Sequence, residues 1–196
     1  MSRTLKRVGL LGGTFDPPTR AHLEVAGRAR GALGLDAVWL VPALGAHKNP
    51  VASGEHRLAM CQEAVAGWDG VEVCDVDLAG RLARSVDTLS ALVELWPLVE
   101  FTFLVGDDIN VEAWAEWGRC REMARFVRIA RGGQLRFDGG LDRIDLGNHS
   151  HSSTRSRTLA AMRVADDSLP APVARYIEVH GLYTQSLSHQ QHQMVS

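Results

Sequence analysis

The chain has 196 residues, 45% of them hydrophobic and 22% charged, with a formal net charge of -2 at pH 7. This is ordinary globular composition, long enough for one domain with a sizeable core, and it offers no bulk positive field for nucleic acid. Cys61, Cys74 and Cys120 are odd in number, widely spaced and free of any CxxC pair, which argues against a disulfide framework and a zinc site and leaves buried thiols.

The first seven residues are basic, but the apolar run behind them, Val8-Gly9-Leu10-Leu11, is too short for a signal-peptide core or a membrane span, so a cytoplasmic protein without membrane association is expected. That run reads as a strand. It breaks at Gly12-Gly13 and opens into a helix through Thr14-Phe15-Asp16-Pro17-Pro18-Thr19-Arg20-Ala21-His22. Unpaired backbone N–H groups at a helix start, where the helix dipole also favours negative charge, make this a phosphate site. Helical spacing continues to Leu33, with Thr19 as a candidate cap and Gly34 as a stop. Ala37 to Pro42 is a continuous apolar run, suited to a parallel strand covered on both faces.

Ala43 to Gly54 is a loop containing Ala46-His47-Lys48, followed by a helix from about Glu55 to Ala66 and an alternating, edge-like strand from Val71 to Val76. After a loop from Asp77 to Arg84, Ser85 or Asp87 can cap a helix that runs to Trp96, before Pro97. Glu100 to Val105 is the fourth strand and ends at Gly106-Asp107-Asp108. A Trp-bearing segment from Val111 to Met123 leads to a fifth strand, Phe126 to Ala130. Gly132 to Ser150 reads as loop. Ser152-Ser153-Thr154 then caps a helix from about Arg155 to Val164, and Val173 to His180 gives a last short helix before Leu182-Tyr183. The polar tail 186–196 is expected to be disordered, leaving 1–185 as one domain whose part from 150 to 185 is helical.

Strands separated by helices predict an α/β fold, a Rossmann-like doubly wound parallel sheet of about five strands with a small C-terminal helical segment. Ligands of such sheets gather beyond the carboxyl ends of the strands at the topological switch point. Thr19 and His22 lie three apart, share a helix face and point at the phosphate loop. The pattern is neither a Walker loop nor a GxGxxG fingerprint. Ser153 and Thr154 at a second helix start, with Arg157 one turn in, suit a triphosphate grip.

Gly12-Gly13-Thr14-Phe15-Asp16-Pro17 and His22 resemble the signature of the nucleotidyltransferase superfamily of adenylyl- and cytidylyltransferases, with Thr19 in place of its first His and Ala21 in place of a Gly. His151-Ser152-Ser153-Thr154-Arg155-Ser156-Arg157 is similar to its Ile-Ser-Ser-Thr-x-Ile-Arg, with both Ile positions polar. His47-Lys48, Arg57, Val86-Asp87-Thr88-Leu89, Gly106-Asp107-Asp108, Trp114-x-x-Trp117 and Tyr176-Ile177-Glu178-Val179-His180-Gly181-Leu182-Tyr183 resemble the bacterial nicotinate mononucleotide adenylyltransferase branch.

The resemblance implies adenylyl transfer from ATP to nicotinate mononucleotide, giving deamido-NAD and pyrophosphate, with Mg²⁺ entering on ATP and Asp16 helping it through water. The acceptor phosphate is already ionised near pH 7, so the site needs cations and N–H groups rather than a general base. By the same resemblance His22, Thr19, Lys48 and Arg157 are catalytic. Gly12, Gly13, Thr14, Phe15, His22, Asp108, Ser153, Thr154 and Arg157 hold ATP, and His47, Lys48, Arg84, Ser85 and Trp114 meet the pyridine nucleotide. Arg84-Ser85 stands where the branch usually places Tyr-Thr, and its guanidinium could pair with a ring carboxylate. Nicotinamide mononucleotide or phosphopantetheine as acceptor, or a non-catalytic nucleotide sensor, are the alternatives, and monomer versus homo-oligomer is open.

Overall fold

The computed structural model describes residues 5–43, 50–76, 82, 84–130, 140–146, 153–162 and 166–184. His47, Lys48, Ser152 and the tail 186–196 lie outside the described residues.

Among the described residues six strands form one all-parallel sheet in the order β3-β2-β1-β4-β5-β6, with β1 at Arg7–Gly13, β2 at Ala37–Pro42, β3 at Val71–Val73, β4 at Glu100–Gly106, β5 at Arg125–Ala130 and β6 at Asp142–Asp145. The chain winds outward one way through β3 and returns to the middle for β4, so the switch point lies between β1 and β4. β2 is buried along its whole length, as its unbroken apolar run demands, and β3 is a short edge strand. β6 corrects the expectation of a loop there. Asp142-Arg143-Ile144-Asp145 is mostly exposed and carries one apolar residue, so its strand is specified by backbone pairing with Val127 to Ala130.

Helices α1 (Arg20–Leu33), α2 (Gly54–Val65) and α6 (Ala171–Val179) cover one face, where Leu23, Ala26, Met60, Val173 and Ile177 pack on Leu11, Leu40, Leu104 and Val127. α3 (Ser85–Leu95) and α4 (Trp117–Met123) cover the other through Val86, Leu89, Leu92 and Cys120. A short 3-10 turn, Val111–Ala113, precedes α4. α5 (Ser153–Ala161) starts two residues before the expected Arg155 and α3 takes Arg84 as its N-cap rather than Ser85 or Asp87. The three cysteines are free and buried.

Candidate active site

β1 delivers Gly12 and Gly13 to the switch point, where space is short. A Cβ on Gly13 would sit 2.9–3.1 Å from the Phe15 ring, and one on Gly12 would sit 3.2 Å from Phe103 Cζ. The chain then turns through Phe15 at φ 48 and enters α1 behind Thr19, which is extended. Phe15 packs edge-on against His22 with ring centroids 5.1 Å apart.

The Thr19 backbone N–H donates to His22 Nδ1 at 2.9 Å, and Thr19 Oγ1 lies 2.9 Å from the same nitrogen. An Nδ1 that accepts leaves the proton of the neutral ring on Nε2, so the imidazole acts as a donor from its outer nitrogen. Thr19 is 0% exposed, which departs from its expected place facing phosphate beside His22. It fixes the tautomer and orientation of His22 instead. His22 itself is half-buried.

Asp16 is the centre of a buried anchor. Its carboxylate accepts from Val51 N–H at 2.8 Å, Ala52 N–H at 3.1 Å and the Tyr183 hydroxyl at 2.7 Å, and it is 4% exposed. Its oxygens are turned inward, to the loop at Val51-Ala52 and to Tyr183 after α6. Burial, and then the Asp16 carboxylate, push the Tyr183 hydroxyl well above the usual phenol range. Arg57, fully buried on α2, donates through Nη1 to the carbonyls of Thr14 at 2.8 Å and Ala43 at 2.5 Å, and through Nε to Ala52 at 3.2 Å. Burial lowers its pKa, opposed by Asp16. Ala43 N–H also donates to the Gly13 carbonyl at 2.9 Å. Both ends of the segment that carries His47 and Lys48 are therefore tied to the phosphate loop. The sequence shows Arg57 and Tyr183 as motif positions; their role as anchors needs the third dimension.

α5 docks on the same loop. Ser153 Oγ donates to the Pro17 carbonyl at 2.8 Å, and Arg157 Nη1 donates to the Asp16 carbonyl at 2.6 Å, 3.8 Å from that residue's carboxylate. Arg157 Nη2 donates to Thr154 Oγ1 at 3.2 Å. Ser156, polar where the resembled motif is apolar, is fully buried with its hydroxyl 3.0 Å from that of Ser168, which donates to Asp166 at 2.6 Å. The polar replacement is thus satisfied within the protein.

A cavity of about 260 Å³ opens over Gly12, Gly13 and Thr14. Phe103 and Trp114 form an aromatic wall, their rings 5.5 Å apart and T-shaped, and Arg84, Ser85 and Thr88 form the rim. Trp117 packs instead on Phe126, with centroids 4.6 Å apart. Arg84 Nε and Nη2 donate to the two oxygens of Asp87 at 3.0 and 2.8 Å, and Nη1 donates to Glu116 at 2.9 Å. The Asp87 carboxyl is held below its usual range, first by its hydrogen bond from Arg84. Asp108 is exposed in the turn after β4, while its neighbour Asp107 pairs with Arg143 at 3.3 Å.

The structure thus brings Gly12, Gly13, Thr14, Phe15, Thr19, His22, Ser153, Thr154 and Arg157 to one loop, and sets Arg84, Ser85 and Trp114 around the adjoining cavity. The chain is a doubly wound parallel α/β protein with a glycine-lined loop and an aromatic cavity at its switch point, the place where ligands of such sheets gather. The cytidylyltransferase-like family model matches residues 10–166.

A relative from Anaeromyxobacter dehalogenans named "Probable nicotinate-nucleotide adenylyltransferase" is 35% identical over 188 residues, covering 91% of this chain and 97% of its own. One of the same name from Oceanobacillus iheyensis is 33% identical over 187 residues, with the same coverage. The solved structure of Plasmodium falciparum nicotinic acid mononucleotide adenylyltransferase complexed with NaAD superposes with a TM-score of 0.75 at 20% identity, covering 93% of this chain and 100% of that one, a likeness of fold. The chain belongs to the cytidylyltransferase-like family and, within it, to the nicotinate-nucleotide adenylyltransferases.

Proposed function

We infer that the chain transfers the adenylyl group of ATP to nicotinate mononucleotide, releasing pyrophosphate and forming deamido-NAD. The observation that carries the chemistry is the start of α1, where Thr19 occupies His22 Nδ1 and leaves Nε2–H as the donor at a glycine-lined phosphate loop. The names of the relatives support the acceptor.

A phosphate oxygen of the acceptor attacks the α-phosphorus in line as the bond to pyrophosphate breaks. Charge on the equatorial oxygens grows relative to the ground state, and the His22 Nε2–H meets it. Gly12 to Phe15 admit the phosphate backbone closely. Ser153, Thr154 and Arg157 exchange their contacts on the Asp16-Pro17 loop for the β- and γ-phosphates. Lys48 neutralises the acceptor phosphate, His47 meets the pyridine nucleotide, Asp108 meets the ribose of ATP, and Trp114 and Ser85 bound the pyridine ring beside Arg84.

Mg²⁺ would enter with ATP and lower the negative charge that the acceptor phosphate meets, in keeping with its preference for substrate phosphates over an all-protein cage. Among the described residues no group of three or more His, Cys, Asp or Glu is placed to hold a metal ion. Among the same residues, no helix is long and apolar enough to cross a membrane. Pyrophosphate release on mixing the chain with ATP and, separately, nicotinate mononucleotide, nicotinamide mononucleotide and phosphopantetheine tests the reading. Release with the first supports it, and release with phosphopantetheine alone, or with none, refutes it.

A further inference from the structure

α5 carries three of the groups assigned to the ATP phosphates, Ser153, Thr154 and Arg157, yet the one residue it buries fully is polar, Ser156. The Ser156 hydroxyl lies 3.0 Å from that of Ser168, in the turn that leads into α6. Ser168 gives its single hydroxyl proton to Asp166 Oδ1 at 2.6 Å, so it meets Ser156 as an acceptor, and Ser156 turns its own proton toward the Ser168–Asp166 pair. Burial raises the Asp166 carboxyl, but the Ser168 and Ser156 hydroxyls outweigh it and hold the group below the usual carboxylate range.

The backbone of the same turn faces α1. The Ser168 carbonyl accepts from the N–H of Arg20, the first residue of α1, at 2.7 Å, and Arg20 Nε donates to the carbonyls of Asp167 and Leu169, both at 3.1 Å. Arg20 stands two residues before His22. One turn therefore fastens the start of α1 on one side and α5 on the other. Where the resembled motif carries an apolar residue, this chain has Ser156, and a hydrogen bond fixes direction as well as distance.

Resting on the adenylyl-transfer reading above, we propose that Ser156 and Ser168 are positioning residues for ATP: through the turn 166–169 they hold α5 in register with the start of α1, so that Arg157 meets the β- and γ-phosphates while His22 meets the α-phosphate. Neither serine touches substrate. The aromatic wall of the acceptor cavity, Phe103 and Trp114, belongs to the other face of the sheet, so the link acts on ATP and not on the acceptor.

The test is KM for ATP, KM for nicotinate mononucleotide and kcat, measured by pyrophosphate release for the native chain, Ser156→Ala, Ser168→Ala and the double variant. Each single change removes one oxygen and adds no bulk. Each raises KM for ATP about three- to tenfold, the loss of one hydrogen bond, while KM for the acceptor stays within about twofold and kcat within about threefold. The double variant goes no further than the larger single effect, because either change breaks the same link. A smaller folded fraction would lower kcat and leave both KM values in place.

A KM for ATP within about twofold of native in both single variants overturns the proposal, as do KM values that rise together for the two substrates, a fall in kcat alone, or single effects that multiply in the double variant. If the native chain releases no pyrophosphate from ATP and nicotinate mononucleotide, the adenylyl-transfer reading itself fails. If it does and KM for ATP ignores both serines, only their assignment fails.

Discussion

Tyr183→Phe removes one oxygen from the interior and changes nothing else in the side chain. In the native fold that hydroxyl donates to Asp16 Oδ1 at 2.7 Å, with Tyr183 5% and Asp16 4% exposed. A hydrogen bond to a charged group contributes about 1.5–3 kcal/mol. Asp16 keeps the N–H groups of Ala52 and Val51 on its two oxygens, so the loss belongs at the lower end, about 1.5–2 kcal/mol. At about 2–4 °C per kcal/mol for a chain of this size, Tm falls by about 3–8 °C. The same loop holds Arg157 through the Asp16 carbonyl, so kcat drops by about three- to tenfold through misplacement of the phosphate groups. Thermal unfolding followed by circular dichroism at pH 7, with steady-state pyrophosphate release below Tm, measures both. A Tm within about 1 °C of native, together with unchanged kcat, would show that the hydroxyl does not anchor Asp16.

Three further outcomes follow from the same geometry. Gly13→Ala forces a Cβ into the Phe15 ring that packs on His22, and is expected to lower kcat by about a hundredfold with a smaller effect on Tm; near-native turnover would refute the close fit. Arg57→Leu leaves the carbonyls of Thr14, Ala43 and Ala52 without its three donations and lowers the urea-unfolding free energy by about 3–5 kcal/mol; a loss below about 1 kcal/mol would contradict the role of that guanidinium. Burial raises the Cys61 thiol and the Tyr183 hydroxyl, so both keep their protons in the native state while the unfolded chain loses them. Their contribution is complete below about pH 8.5 and declines as pH rises, by up to about 1.4 kcal/mol per unit for each group once its unfolded form ionises. Urea unfolding at a series of pH values should show this fall from about pH 9, and a stability flat to about pH 11 would refute it.

Hydrophobic runs and glycine punctuation made the central sheet legible, because β1, β2 and β4 must be apolar to be covered on both faces. β6 was not legible, since an edge strand with one apolar side chain is held by backbone pairing that leaves little trace in residue type. At the site, the residues that meet phosphate announce themselves through spacing. Those that aim them do not. Thr19 reads as a phosphate ligand until its N–H and hydroxyl are seen on His22 Nδ1. Asp16 gives no sign in the sequence of its buried partner, Tyr183, 167 positions away. The ion pair of Glu116 with Arg84 gives no signal at all, because it joins the N-caps of two helices far apart in the chain.

The account turns on His22 Nε2–H acting on the α-phosphate. The most direct test is pyrophosphate release by His22→Ala with ATP and nicotinate mononucleotide, with retained fold checked by circular dichroism. Loss of one transition-state donor predicts a fall in kcat of about 10²- to 10³-fold with little change in KM for either substrate. Turnover close to native in the purified variant would contradict it.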